Sequence, residues 1–251
     1  MSKKIFLIGG SSGIGLELVK LFLKKDYYVV STSRNITKSQ ELRQISKTNN
    51  KLALYDIDTS SNKNIDKTIL QIWNEFNGID ICFYNAGIYD SMNIHNIDLK
   101  KFEDMININY IGFVRILKHL TPYFINSKKG HFIVNSSISS YFGLPNGGAY
   151  SASKAALLNL AQSLYPELNL LNIKLQIINH GFVKTRLTNK NDFYMPQLMS
   201  TKKAALTIIK KLESNDKNFE ITFPYILSIF LKLLNILPYK ISLFITKKLL
   251  K

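Results

Sequence analysis

Short apolar segments alternate with amphipathic segments along most of this chain, beginning within its first residues. The first pair is the apolar run Lys4 to Ile8, followed after a turn by a segment in which Leu16, Val19 and Leu23 recur at helical spacing. Strands that are apolar throughout are buried on both faces, which is typical of parallel strands covered by helices. The alternation therefore predicts an α/β fold with a mostly parallel sheet.

The same pattern continues to residue 223. Strands are predicted at residues 4–8, 27–31, 52–57, 79–85, 131–136, 174–179 and 219–223, and helices at 14–25, about 38–46, 64–77, about 98–127, 150–171 and 201–212. In folds of this kind the ligand binds beyond the carboxyl ends of the strands.

Composition excludes several other classes of protein. The chain has 251 residues, 46% of them hydrophobic, which is enough for one large domain. Cys82 is the only cysteine and lies in an apolar run, so we expect no disulfide, no metal site and a reducing compartment. The amino-terminal apolar run is too short for a secretory signal. The net charge is +16, but the lysines are scattered and no nucleic-acid motif is present, so no nucleic-acid partner is predicted.

A glycine-rich turn follows the first predicted strand. Its small residues let the backbone approach a pyrophosphate, and the helix after it offers amino-terminal N–H groups and a positive dipole end. A tight turn without a ligand is the alternative. The residues predicted to bind the cofactor here are Gly9, Ser11, Ser12, Gly13, Ile14 and Gly15.

Tyr150 and Lys154 lie four residues apart in a predicted helix and therefore share one of its faces. A free tyrosine titrates near pH ~10, and a neighbouring cation favours the phenolate, which would bring the hydroxyl toward the range useful for proton transfer. An ordinary exposed pair on an amphipathic helix is the alternative.

Five motifs occur in a fixed order along the chain: Gly-x-x-x-Gly-x-Gly after the first strand, Asn85-Ala86-Gly87 after the fourth, Asn109, Ser137, and Tyr150-x-x-x-Lys154. Together they resemble the short-chain dehydrogenase/reductase family over about residues 3–223. The resemblance implies a Rossmann-type, doubly wound fold with a seven-stranded, mostly parallel sheet, helices on both faces, and NAD(P)-dependent oxidation or reduction. Residues 1–223 would form the catalytic domain, and residues 224–251 a C-terminal apolar and basic helical extension of it.

The resemblance also implies roles for the four candidate catalytic residues. Tyr150 would be the general acid or base at the substrate oxygen, and Ser137 would hydrogen-bond that oxygen, although three neighbouring serines compete for this role. Lys154 would lower the pKa of Tyr150 and hold the nicotinamide ribose. Asn109 would anchor a water molecule that links Lys154 to solvent; a mid-helix asparagine satisfied by a backbone group is the alternative.

The end of the second predicted strand bears on the choice of cofactor. Ser33 stands where an acidic residue would bind the ribose 2′-hydroxyl of NAD, and Arg34 follows it. We therefore expect NADP(H) to be preferred over NAD(H). By the resemblance, Asp56 and Ile57 would contact the adenine, with Asp58 as a rival for the acidic position.

The turn after the sixth predicted strand departs from the family pattern. His180-Gly181 replaces the usual Pro-Gly, and the resemblance assigns Gly181, Val183 and Thr185, like Asn85, Ala86 and Gly87 elsewhere, to the cofactor site. His180 is either a further acid/base group or a structural replacement.

Residues 184–200 are the candidate substrate lid, and their apolar side chains predict an apolar carbonyl or alcohol as substrate. The leading hypothesis is a cytoplasmic, NADP(H)-dependent reductase of a lipid-like carbonyl. A soluble dehydrogenase of small polar alcohols or sugars, and a nucleotide-sensing protein without turnover, are the alternatives.

The segment Phe223 to Lys251 is apolar and basic, and Pro238 divides it into two helical pieces. Neither piece reaches the ~20 uncharged residues of a spanning helix. It could lie on an anionic membrane surface, cover the pocket or pack on a partner subunit. The resemblance implies a homodimer or homotetramer formed through the long helices at 98–127 and 150–171.

Overall fold

The computed structural model describes residues 2–214 and 218–250; Lys251, predicted to belong to the C-terminal extension, lies outside the described residues. The strands are β1 Lys4–Ile8, β2 Tyr28–Ser33, β3 Leu52–Asp56, β4 Ile81–Tyr84, β5 Gly130–Ser137, β6 Ile173–His180, β7 Val183–Lys184, β8 Met199–Ser200 and β9 Glu220–Phe223. The α-helices are α1 Gly13–Lys24, α2 Gln40–Thr48, α3 Ile65–Glu75, α4 Leu99–Ile106, α5 Gly112–Ser127, α6 Gly148–Leu170, α7 Thr201–Ser214, α8 Tyr225–Ile236 and α9 Tyr239–Lys247.

Seven of the strands form one sheet in the order β3-β2-β1-β4-β5-β6-β9, and each neighbouring pair is parallel. The predicted doubly wound fold is therefore confirmed. The chain leaves β1 toward one edge of the sheet and returns to place β4 on the other side of β1. A ligand crevice is expected at this point, beyond the carboxyl ends of β1 and β4.

The two faces of the sheet bury two separate layers of apolar side chains. Phe6 and Ile8 of β1 face a core made with α3, α5 and α6, whereas Ile5 and Leu7 face a core made with α1, α2 and α7. Successive side chains of a strand point to opposite faces, so a strand covered on both sides must be apolar at every position. This is the reason for the uninterrupted apolar runs in the sequence.

The long helix predicted at residues 98–127 is present but is not uniform. A π-helical turn at Asn107–Ile111 separates α4 from α5, and Asn109 lies in it. Such turns insert one extra residue into a helix and are frequent at functional sites. The small parallel sheet formed by β7 and β8 was not predicted, because two-residue strands carry no periodicity.

The C-terminal extension forms two helices, divided at Pro238 as predicted. Leu231 and Leu234 of α8 pack on Ile138, Tyr141 and Phe142, which follow β5. An ion pair between α8 and the edge strand β9 adds to this attachment. Among the described residues, no helix is long and apolar enough to cross a membrane.

Candidate active site

A cleft of about 1680 Å³ opens at the carboxyl ends of the strands. The glycine turn, the loops after β4, β5 and β6, and the amino-terminal part of α6 line it. Small-molecule pockets commonly measure about 300–1,000 Å³, so this cleft is large enough for a dinucleotide and a second molecule together.

The glycine turn packs directly against the loop that follows β4. The side-chain amide of Asn85 donates to the carbonyl oxygen of Gly9 over 2.8 Å, and a Cβ atom on Gly9 would lie 2.7 Å from the amide nitrogen of Ala86. A Cβ atom on Gly15 would overlap the carbonyl oxygen of Gly9. The close approach of the two loops therefore requires glycine at these positions.

The amino terminus of α1 fits an anionic group. Its N-cap residue, Ser12, makes no side-chain capping hydrogen bond, and the first turn carries no acidic residue. The first N–H groups and the positive dipole end of α1 thus lie at the cleft without an anionic partner, as a pyrophosphate requires. At the neighbouring strand end, the hydroxyl of Ser33 is buried and has no hydrogen-bond partner among the described residues. These residues fit a phosphorylated dinucleotide.

The structure separates the serines that competed for one role. The hydroxyl of Ser136 donates to a carbonyl oxygen of α6, and that of Ser140 donates to an amide side chain of β6. Ser137 lines the cleft, and its oxygen accepts a hydrogen bond from the amide of Ser139, which also lines the cleft. Ser137 and Ser139 are therefore the two serines of this group that a substrate can reach.

Tyr150 and Lys154 face the same cleft from α6, beside Ser137. The Lys154 ammonium donates to the carbonyl oxygen of Asn135 over 3.0 Å and lies 5.6 Å from the centre of the Tyr150 ring. The Tyr150 ring also makes an edge contact with the ring of Tyr89, with centres 5.1 Å apart. The fold thus brings Ser137, Tyr150 and Lys154 together, as the sequence predicted.

Burial shifts the pKa values of both Tyr150 and Lys154, and a lowering of the Tyr150 pKa by Lys154 stays a prediction. Burial raises the pKa of Tyr150 to about 12, while its hydrogen bond with Ser137 acts in the opposite direction. Burial also lowers the pKa of Lys154 to about 8. Desolvation disfavours each charged form, and the Lys154 ammonium is engaged by a carbonyl oxygen rather than by the phenol. Tyr150 is therefore protonated at neutral pH.

Asn109 is fully buried in the π-helical turn and has a complete set of partners. Its side-chain oxygen accepts from the amide of Ile88 over 2.8 Å, and its nitrogen donates to the carbonyl oxygen of Ile88 and to the hydroxyl of Ser153, each over 3.0 Å. The backbone of Ile88 thus satisfies much of this side chain, as the alternative for Asn109 predicts. Asn109 fastens the loop after β4 to α6, and its link to Lys154 through water stays a prediction.

His180 is part of the cleft wall at the end of β6. Its Nδ1 donates to the carbonyl oxygen of Gly181 over 2.7 Å, and its ring stacks on Phe223. Burial lowers the pKa of His180 to about 4, with the Lys154 charge acting in the same direction. A neutral ring whose N–H already has a partner supports the structural alternative.

The acidic candidates for the adenine end are engaged elsewhere. Asp56 accepts a hydrogen bond from the amide of Ile36 over 2.6 Å, and Asp58 accepts from the amide and hydroxyl of Ser60. Ile57 lines the cleft, whereas the two aspartates do not. An adenine contact by Asp56 stays a prediction.

Two cations of the candidate lid were missed by the sequence analysis, which treated residues 184–200 as apolar. The guanidinium of Arg186 donates to the hydroxyl of Ser12 over 2.8 Å, across the glycine turn. Lys190 forms an ion pair with Asp90 over 2.7 Å. The lid therefore bridges both sides of the cleft. No periodicity or motif signals these contacts, because the partners lie far apart in sequence.

The remaining predicted cofactor residues line the cleft as a group: Ser11, Gly13, Ile14, Ser33, Arg34, Ala86, Gly87, Gly181, Val183 and Thr185. Gly87 lies between two catalytic candidates, since a Cβ atom on it would be 3.3 Å from the Asn109 oxygen and 3.7 Å from the Lys154 nitrogen.

Known proteins resemble this chain in sequence. The family model described as short chain dehydrogenase matches residues 3–193. An uncharacterized oxidoreductase of Myxococcus xanthus is 29% identical over 240 residues, covering 95% of this chain and 94% of that protein. Carbonyl reductase family member 4 of Xenopus laevis is 30% identical over 189 residues, covering 75% of this chain and 79% of that protein.

A solved structure has the same fold. The structure described as ElxO with NADP bound has a TM-score of 0.79 and 24% sequence identity, and the match covers 90% of this chain and 99% of ElxO.

Proposed function

This chain belongs to the short-chain dehydrogenase/reductase family, and from that membership we propose that it is an NADP(H)-dependent enzyme that reduces the carbonyl group of an apolar, lipid-like substrate to an alcohol. One observation carries the proposal. Tyr150 lies beside the hydroxyl of Ser137, together with Lys154, in a cleft large enough for both a dinucleotide and a substrate.

Four residues of the chain would each have a separate role in such a reaction. The bound nicotinamide would supply the hydride. Tyr150 donates its proton to the carbonyl oxygen, and Ser137 holds that oxygen by a hydrogen bond. Lys154 holds the nicotinamide ribose, and Asn109 keeps the loop after β4 in position against α6.

The lining of the cleft supports an apolar substrate. Beyond the catalytic residues the wall includes the apolar side chains Ile138, Leu144, Phe182, Phe193, Leu227, Phe230 and Leu231. Burying methylene groups of a substrate against such a wall is favourable, whereas burying hydroxyl groups there without partners is costly. A relative named carbonyl reductase is consistent with the reaction.

A series of ketones of increasing chain length tests the substrate class. We expect kcat/KM for NADPH-dependent reduction to rise about fourfold for each added methylene until the cleft is filled, since a buried methylene contributes about 0.8 kcal/mol. NADPH oxidation by the purified full chain is the measurement, with Tyr150→Phe as the blank. Highest activity on short polar carbonyls or sugars would instead favour a dehydrogenase of small polar alcohols.

The preference for NADP(H) is proposed from the cations at the cleft. Arg34 follows the buried, unpartnered hydroxyl of Ser33 at the end of β2, and Arg186 reaches the glycine turn. Arg34 would meet the 2′-phosphate and Arg186 another phosphate of the dinucleotide. The NADP found in ElxO, a structure of the same fold, is consistent with this choice.

Replacing Arg34 with leucine tests the cofactor preference. A charge-assisted hydrogen bond contributes about 1.5–3 kcal/mol, so we expect the Kd for NADPH to rise about tenfold to a hundredfold while the Kd for NADH stays unchanged. Fluorescence titration with each cofactor measures both values without turnover. Lys38→Leu, in the same loop and outside the cleft lining, is the matched control. An equal loss for both cofactors would contradict the assignment of Arg34 to the 2′-phosphate.

We also propose a cytoplasmic location and a homodimer or homotetramer. Cys82 is buried and free, as expected in a reducing compartment. Ile125 of α5 and Leu170 of α6 are exposed apolar residues on the helices through which the subunits would pair.

A further inference from the structure

The helix α9 buries two hydroxyl side chains, half-buries Ile245, and exposes several apolar residues. Its buried residues are Ser242 and Thr246, which are 0% and 5% exposed. Phe244, between them in sequence, is 61% exposed, and Ile241 and Leu243 are also exposed. A surface helix normally buries its apolar stripe and exposes its polar face. The outer face of α9 is therefore suited to an apolar environment.

The neighbouring helix α8 is apolar on both faces. Leu231 and Leu234 are buried against the segment that follows β5, while Ile226 and Ile236 on the outside are 72% and 78% exposed. We call the exposed apolar side chains of the two helices the outer patch: Tyr225, Ile226, Ile229, Phe230, Leu233, Ile236, Tyr239, Ile241, Leu243 and Phe244. Large exposed apolar surfaces mark an interface with a membrane or with another protein.

The charge of residues 223–251 indicates whether a membrane or another protein covers the outer patch. Residues 223–251 contain no aspartate or glutamate, and five lysines accompany the apolar residues. Lys232 is paired with Glu220, whereas Lys240 and Lys247 are exposed. A second copy of the chain would bring the same positive charges to the contact, which disfavours pairing of two outer patches. Anionic lipid headgroups complement both the lysines and the apolar side chains.

We propose that α8 and α9 lie in the surface of an anionic membrane, with the outer patch inserted at the boundary between headgroups and acyl chains. Neither helix is long enough to span a bilayer, so the helices lie on the membrane rather than cross it. Leu227, Phe230 and Leu249 also line the cleft. The cleft therefore opens beside the membrane-facing helices, and an apolar substrate enters it from the lipid; this second step rests on the proposed reductase function.

Flotation of the full chain with lipid vesicles tests the docking. We expect the wild type to float with vesicles that contain phosphatidylglycerol and to bind pure phosphatidylcholine vesicles far more weakly. Raising the salt concentration from about 0.1 M to about 1 M, which shortens the screening length from about 10 Å to about 3 Å, should reduce the binding. Lys240→Gln and Lys247→Gln are each expected to lower the partition coefficient about fivefold.

Substitutions in the outer patch test the apolar part of the contact. The double variant Ile226→Ser, Phe244→Ser should lower the partition coefficient about tenfold or more, whereas Leu206→Ser, an exposed leucine of α7 outside the patch, should leave it unchanged. Both patch positions are exposed, so the melting temperature should be retained. Wild-type binding by the double variant would overturn the proposal, as would a wild-type dimer that the double variant converts to monomers.

Activity measurements on two ketones distinguish the membrane-docking proposal from the proposed reductase function. The double variant should reduce a water-soluble ketone at the wild-type rate but lose activity on a long-chain ketone presented in vesicles. Loss of vesicle binding together with unchanged activity on vesicle-borne ketone would overturn the entry route from the membrane. Absence of wild-type turnover on both ketones, with vesicle binding intact, would contradict the reductase function and leave the docking supported.

Discussion

Replacing Tyr150 with phenylalanine is expected to lower kcat for carbonyl reduction about a thousandfold while leaving the affinity for NADPH unchanged. The substitution removes the proton that Tyr150 donates and keeps the ring that packs against Tyr89. General acid catalysis by a positioned side chain contributes about a hundredfold to ten-thousandfold. Single-turnover NADPH oxidation measures the chemical step, and fluorescence titration measures cofactor binding.

Tyr89→Phe is the matched control for this experiment, because it removes a hydroxyl from the neighbouring ring of the same cleft wall. We expect that variant to keep most of its turnover. Retained turnover in Tyr150→Phe would mean that another group supplies the proton. Loss of NADPH binding in Tyr150→Phe would mean that Tyr150 is structural, and absence of turnover in the wild type on any carbonyl would favour a nucleotide-sensing protein.

Replacing Gly15 with alanine is expected to raise the Kd for NADPH about a hundredfold. The added Cβ atom would overlap the carbonyl oxygen of Gly9 and lie 2.7 Å from the side-chain nitrogen of Asn85. The hydrogen bond between these two groups, 2.8 Å long, holds the glycine turn against the loop after β4. Backbone shifts that relieve such overlaps cost about 1–3 kcal/mol, and 2.7 kcal/mol corresponds to about a hundredfold in affinity. The turn would open, and the backbone would no longer reach the pyrophosphate.

Gly143→Ala is the control for this prediction, since a Cβ atom on Gly143 would meet no other atom within 4 Å. Calorimetric titration with NADPH compares the two variants, and thermal denaturation shows whether each one is folded. A folded Gly15→Ala protein with wild-type affinity for NADPH would show that NADPH binding does not require the close contact between Gly15 and Gly9. Equal losses in both variants would indicate a general destabilisation.

The sequence predicted the strands of the sheet because a strand that is covered on both faces is apolar at every position. Every residue of β1 between Ile5 and Ile8 must be apolar, and such runs are visible without the structure. The helix boundaries were predicted to within a few residues because the apolar residues of a helix recur at helical spacing. The two-residue strands β7 and β8 and the π-helical turn at Asn109 were not predicted, because their hydrogen bonds depend on neighbours in space rather than on a repeating pattern.

One part of the candidate site was likewise predictable from the sequence, and another part was not. Spacing along one helix places Tyr150 and Lys154 on one face, and that much is determined by sequence. The resemblance selects Ser137 by its position thirteen residues before Tyr150, and the hydrogen bonds of the folded chain engage its rivals Ser136 and Ser140 elsewhere. Burial raises the pKa of Tyr150, an effect that the sequence could not predict, since desolvation depends on everything packed around a group.

By itself the sequence determined the fold class, from the alternation of strands and helices. It also determined the glycine turn and the shared helix face of Tyr150 and Lys154, because each of these depends on the spacing of residues within a short segment. Only the tertiary structure placed Arg186 against Ser12, across 174 positions of the chain. Only the tertiary structure turned Ser242 and Thr246 of α9 inward while leaving Leu243 and Phe244 exposed. Contacts between distant segments follow from strand order and packing, and neither is encoded in the local pattern of any one segment.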